Sequence, residues 1–142
     1  MADLKPKFGT ATSLTTTGLS TLANGASATS NNLDITTLLG FDVAITASFT
    51  TGASATSGSL IRLFAKFSLD GTTYSTDEND YPMGVMTLPT AGAQTVVKVF
   101  SVSAAFPGGV IPAHVKIRVS QATADAFTDG TLTYQVLFGQ SV

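Results

Sequence analysis

The chain has 142 residues, with 7 Lys and Arg against 9 Asp and Glu, a single His and no Cys, the length of one domain able to bury its own core without disulfides or a structural metal. Charged residues make up 11% and hydrophobic ones 44%, which excludes charge-driven disorder and the dense basic footprint of a nucleic-acid binder. The missing cysteines exclude disulfide scaffolds, Cys-ligated zinc, iron–sulfur clusters and thiol catalysis, and Thr and Ser, about a quarter of the chain, stand where charge usually would.

In chain order, MADLKPKFGT carries two lysines with no apolar run behind them, unlike a secretory signal. No later stretch reaches the roughly 20 apolar residues of a membrane helix, so a soluble chain is expected. Residues 1–40 are rich in Thr, Ser and Ala and poor in large apolar residues, apart from spaced leucines at Leu14, Leu19, Leu22, Leu33, Leu38 and Leu39. They read as edge strands, with strands expected at Leu14–Leu22 and Leu33–Thr37, or as an extended arm that docks on a neighbouring subunit; edge strands are the favoured reading.

Residues 41–142 read as the core. From Phe41 to Phe49 the odd positions Phe41, Val43, Ile45, Ala47 and Phe49 form one apolar row, the signature of a half-buried strand. From Leu60 to Ser68 the inner row is Ile61, Leu63, Ala65 and Phe67, with Arg62, Phe64 and Lys66 opposite. A further strand is expected at Met83–Leu88. Thr95–Ser103 is apolar on both faces, which predicts a central strand or one covered on its outer face. His114–Ser120 alternates Val115, Ile117 and Val119 with His114, Lys116 and Arg118, and Thr131–Phe138 buries Leu132, Tyr134, Val136 and Phe138. Turn residues separate these runs, among them Asp70-Gly71, Pro107-Gly108-Gly109 and Asp129-Gly130. The expected fold is all-β, a single-domain, two-sheet antiparallel β-sandwich of about eight strands, with the jelly roll favoured over an immunoglobulin-like arrangement on strand count.

The search for chemistry returns little. His114 is the only possible base for a Ser-His-Asp triad, and its alternation with Lys116 and Arg118 turns it outward. No phosphate cradle and no nucleophile elbow is present. Asp77, Glu78 and Asp80 form the only dense acidic cluster, with Asp70 upstream and Tyr74 and Tyr81 beside it. Such carboxylates can hold calcium or support glycoside hydrolysis, but their spacing matches no EF-hand loop, and a solvated loop is favoured over both. No catalytic residue, cofactor or metal is assigned; Asp77, Glu78 and Asp80 remain calcium candidates. The cations share strand faces, Arg62 with Lys66 and Lys116 with Arg118, whereas the acids fall in loops. Solvation of a sheet's outer side accounts for this, and so does contact of face with loop between copies. Lys5, Lys7, Phe8, Arg62, Lys66, Lys116 and Arg118 are the candidate partner-binding residues.

Two stretches carry a resemblance: SLDGTTY at Ser68–Tyr74 and FSVSAAFPGGVIPAHVKIRV at Phe100–Val119. With the Leu-rich opening, they resemble small structural proteins of tailed-bacteriophage virions, in which a Ser-x-Asp-Gly-x-x-Tyr hairpin precedes an FSV-A-AF-GG-LP phrase and a final aromatic strand. Pro107 before Gly108-Gly109, and His114 where an aromatic is more usual, depart from that pattern. The resemblance implies a non-enzymatic capsid decoration, or cement, protein of sandwich or jelly-roll fold, made in the host cytoplasm and lodged on the virion's capsid surface. Its implied partners are the major capsid protein and itself, as a homotrimer or other multi-copy assembly, with no nucleic acid and no membrane. The alternatives from other classes are a tail-fibre or adhesin module binding host glycans through an aromatic platform, and a hydrolase with acids facing across a cleft.

Overall fold

The period-two segments form the long strands of two antiparallel sheets, in a computed structural model that describes residues 4–38 and 40–141. The strands are β1 (Leu4–Phe8), β2 (Thr12–Ser13), β3 (Ser27–Thr29), β4 (Leu33–Asp34), β5 (Asp42–Thr51), β6 (Leu60–Ser68), β7 (Tyr81–Thr87), β8 (Thr95–Ser101), β9 (His114–Ala122) and β10 (Phe127–Ser141), with a single helical turn α1 at Ile35–Leu38. One sheet runs β1-β10-β5-β8, with β2 also on β10; the other runs β3-β9-β6-β7, with β4 also on β9. We call them the first and second sheets.

The alternation expected for β5 is realised: Val43, Ile45, Ala47 and Phe49 are buried and their neighbours are not. They face Ile61, Leu63 and Ala65 of β6 and Val115, Ile117 and Val119 of β9 across the interlayer space, the interdigitation by which two sheets share one core. Burying a branched or aromatic side chain contributes roughly 1.5–3 kcal/mol, so this double row is the main source of cohesion. Phe49 stacks on Phe127 with ring centroids 4.9 Å apart. A second aromatic group joins Phe67, Tyr81 and Phe106, with Phe106 edge-on to both rings at 6.2 and 5.1 Å. Phe100, Val102 and Phe106 of the FSVSAAFPGG stretch are all buried, so that phrase carries core residues ahead of a turn that Pro107 opens.

Residues 4–34 lie on their own chain. β1 and β2 pair with β10, β3 and β4 pair with β9, and Leu14, Leu19, Leu22 and Leu33 are buried in the core. Leu39 lies outside the described residues. The strand expected at Leu14–Leu22 is instead a short extended piece followed by a 3-10 turn at Leu19–Thr21, because Gly18, at φ +76°, breaks the extended path. Leu33–Thr37 likewise stops as a strand at Asp34, whose carboxylate accepts from the Thr36 amide at 3.0 Å and so favours the turn of α1.

Two expectations about exposure in the first sheet are overturned. Phe41, placed on the inner row, stands 69% exposed just ahead of β5. β8, expected to be central or covered, pairs among the described residues only with β5 and is an edge strand whose Val97 and Val99 are 61% and 60% exposed.

Candidate interaction surface

The two sheets turn different chemistry outward. On the second sheet, register sets Phe64 beside Arg118, Lys66 beside Lys116, and Asp34 beside His114. Left bare, this face would be strongly cationic. Instead the loop after β6, with its 3-10 turn at Asp77–Asn79, folds back over it. Lys66 Nζ donates to Asp77 Oδ1 at 2.6 Å and reaches both Asp80 oxygens at 3.2 and 3.3 Å. Arg118 Nε donates to Asp80 Oδ2 at 2.8 Å, its Nη2 donates to the Asp77 carbonyl at 3.3 Å, and its guanidinium lies 4.2 Å over the Phe64 ring.

The Asp80 carboxylate has no exposed surface, and its cationic partners keep only 13% and 10% of theirs. Ser75 Oγ also donates to Asp80, at 2.7 Å. A buried carboxylate is tolerable here because two cations and a hydroxyl meet its lone pairs. The Lys66 hydrogen bond holds the Asp77 carboxyl below the ordinary carboxylate range, against a smaller opposing effect of desolvation.

The candidates of the sequence reading therefore separate. Lys66 and Arg118 are engaged within the chain, with the contact of cationic face and acidic loop made by one molecule on itself. Two of the calcium candidates, Asp77 and Asp80, already hold an ammonium and a guanidinium, and Glu78 is an exposed neighbour. Among the described residues no group of three metal-ligating side chains converges. Lys116 lies 4.2 Å over the Tyr74 ring, and Arg62 stays exposed on the same sheet. Lys7 and the 58% exposed Phe8 sit on β1, at an edge of the first sheet, so the seven candidates do not form one patch; the side chain of Lys5 lies outside the described residues.

The SLDGTTY stretch is a folded turn closed by its own side-chain hydrogen bonds. Asp70 Oδ1 accepts from Ser68 Oγ and from the Thr72 and Thr73 amides, each at 2.8 Å, and these bonds, the Thr73 amide foremost, hold its carboxyl far below the usual range. Gly71, at φ +75°, packs against His114, whose ring would lie 3.1 Å from any added Cβ. His114 is thus half-buried, with Nδ1 3.0 Å from Asn32 Nδ2, and not the freely solvated ring expected. Tyr74 Oη donates to Asn32 Oδ1 at 2.8 Å. Since Tyr74 carries Lys116 on its ring and Tyr81 packs into the aromatic group of the core, neither offers the open platform a glycan module needs.

The first sheet's outer face is the opposite case. Ala44, Thr46 and Ser48 of β5 lie between Thr131, Thr133 and Gln135 of β10 and Val97 and Val99 of β8. Its carboxylates, Asp42 and Asp129, stand at opposite ends, and no cation stands on the face among the described residues. Asp42 is spent locally: it accepts from Ser101 Oγ at 2.5 Å and from the Ser103 amide at 2.8 Å.

Sequence reasoning passed over Gln121, fully buried where β9 turns toward β10. Its amide donates to the Leu22 and Asp125 carbonyls at 2.8 and 2.9 Å and accepts from the Thr123 amide and hydroxyl at 2.9 and 2.7 Å, tying the N-terminal segment to the last turn. Its only signal was its place at the end of an alternating strand.

Comparison with protein-family models gives no match, and none of the curated proteins compared with the chain matches it.

Proposed function

We propose that the protein is a non-enzymatic virion structural protein, a capsid decoration (cement) protein that binds and stabilises the major capsid protein lattice and acts in many copies at the capsid surface. One observation carries the reading: a hydroxyl-covered outer face on the first sheet, without cations among the described residues and with carboxylates only at its ends, opposite a second face whose charges are mostly neutralised within the chain. A face of short Thr, Ser, Ala and Val side chains has few long side chains to immobilise and few charges to desolvate, so flat contact with another protein is inexpensive in free energy. The resemblance of SLDGTTY and FSVSAAFPGG to small phage virion proteins supplies the partner. The glycan-binding alternative loses support from the occupied state of Tyr74 and Tyr81.

The winding supports a jelly roll over an immunoglobulin-like arrangement. The chain changes sheet at every connection except β1–β2, β3–β4 and β6–β7, and the first and last strands pair. β1 and β2 share one strand position and β3 and β4 another, which leaves the eight positions of a double Greek key.

The test is the copy number of the protein in intact particles, together with the stability of particles that lack it. Stoichiometric occupancy of the capsid surface, and capsids that rupture more readily without the protein, are expected. A few copies per particle, or binding to host glycans in place of capsids, would overturn the reading.

A further inference from the structure

Two packed sheets have four edges, and a bare edge invites another strand. Three of the four are blunted here. The β7 edge contains Pro82 and a register shift opposite Leu63 and Phe64. The β1/β2 edge contains Pro6 and is interrupted between Phe8 and Thr12. The β3/β4 edge consists of two short pieces separated by residues 30–32. β8 has none of these features: Thr95–Ser101 is seven residues of unbroken strand with the sequence TVVKVFS.

Its free hydrogen-bonding groups can be assigned. The Thr51 amide donates to the Gln94 carbonyl at 3.0 Å and the Val102 amide to the Val43 carbonyl at 2.9 Å. In an antiparallel ladder bonded residues alternate, so Gln94, Val96, Lys98, Phe100 and Val102 face β5, and the N–H and C=O groups of Thr95, Val97, Val99 and Ser101 point away from it. No backbone hydrogen bond among the described residues reaches those groups. The one charge on β8, which would ordinarily repel an incoming strand, is turned aside. Lys98 Nζ donates to the Val85 carbonyl of β7 at 3.0 Å and lies 5.4 Å from the Phe100 ring centre, while Val97 and Val99 remain exposed.

We propose that β8 pairs with β8 of a second copy of this chain, antiparallel across a two-fold axis, joining two first sheets into one continuous sheet. A second copy is the occupant the edge fits. The strand's outward donors and acceptors are self-complementary in the antiparallel sense, and the copy's other edges are closed by Pro6, Pro82 or interruption. Charge then selects the register. Centring the axis on Lys98 would set two ammonium side chains directly opposite each other, which is destabilising. Centring it on Val97 or Val99 keeps the outward-pointing residues in bonded pairs and sets Lys98 opposite Val96 or Phe100 of the other copy. This specifies the self-association within the proposed function and leaves contact with a capsid lattice as a separate matter.

The experiment measures the solution mass of the full chain by sedimentation over a dilution series, with amide hydrogen exchange read at low and high concentration. Wild type should reach twice the chain mass, with protection at the Thr95, Val97, Val99 and Ser101 amides rising with concentration. Val99→Pro removes an N–H that points away from β5, so the fold should survive and the mass should halve. Thr131→Lys, on the sheet face away from this edge, should leave the dimer intact. A wild-type protein monomeric throughout, a trimer, a dimer that survives Val99→Pro, or exchange at these amides that ignores concentration would each overturn the pairing. If Val99→Pro does not fold, the exchange data on wild type decide alone. A wild-type chain that stays monomeric yet binds particles would refute the pairing and leave the capsid reading standing, whereas a β8-dependent dimer that binds no particles would do the reverse.

Discussion

The outer faces of the two sheets have the same scaffold and opposite electrostatics. Both are antiparallel, and both end in an edge shared by two short N-terminal strands. Yet Arg62, Lys66, Lys116, Arg118, Asp34, Asp77 and Asp80 gather on the second sheet's side, while among the described residues the first sheet's face holds only Asp42 and Asp129, at its ends. Sparse charge in a composition is therefore no guide to its distribution. Here Lys66, Arg118, Asp77 and Asp80 are spent on fastening one loop, while the other face keeps its carboxylates at its ends and so presents little charge to desolvate on association.

Breaking the fastening gives the largest expected effect. Asp80→Ala leaves Lys66 and Arg118 largely buried without their shared carboxylate, and removing one partner of a buried ion pair costs about 3 kcal/mol or more. Thermal unfolding should shift down by roughly 10 °C. The 62% exposed Asp77, changed to Ala, should cost much less, since a solvated carboxylate contributes little. Equal losses for the two variants would show that the loop is held by something other than Asp80.

Next is acid sensitivity, which should belong to the second sheet's side. Asp34, Asp70 and Asp77 all have carboxyls lowered from the ordinary value, by the Thr36 hydroxyl, the Thr72 and Thr73 amides, and Lys66 respectively. A lowered native pKa means that the unfolded chain binds more protons below about pH 4, so stability is full above that point and is lost as pH falls through the native values. Urea unfolding across this range should show that decline, and Asp70→Asn should flatten it. An unchanged slope would relocate the titrating groups. Tyr74→Phe removes one hydrogen bond to Asn32 and should cost about 1 kcal/mol at any pH above that range.

The legibility of the two faces in the sequence follows the range of the interactions involved. β5, β6, β9 and β10 could be read because alternation is local and each has one buried row. The acidic loops and cationic strand faces were visible as clusters, but not that Asp80 closes on Arg118, 38 residues on, since a strand pattern carries no information about where a loop lies. β8 was misplaced for a related reason: Val97 and Val99 look the same in sequence whether a neighbour covers them or an edge exposes them. Leu14, Leu19 and Leu22 are buried as expected of leucines, but singly along an irregular path that period-two reading renders as a strand.

The smallest effect on stability should accompany the largest on assembly. Thr131 is exposed on the first sheet's outer face, opposite Ser48 of β5 and clear of the β8 edge. Thr131→Lys places a cation among hydroxyls and methyls, and a surface change of this kind usually alters stability by no more than about 0.5 kcal/mol. In a contact that buries this face, the same ammonium would lose hydration, and even paired with Asp129, two residues earlier on the same face, it would cost more to desolvate than the hydroxyl it replaces. Binding to particles should fall sharply while the melting temperature and the β8-dependent mass stay as in wild type. Placing the same charge on the second sheet, as Ser120→Lys, should leave binding intact. If Ser120→Lys proves the damaging change, the roles of the faces are reversed and the docking surface is the charged one.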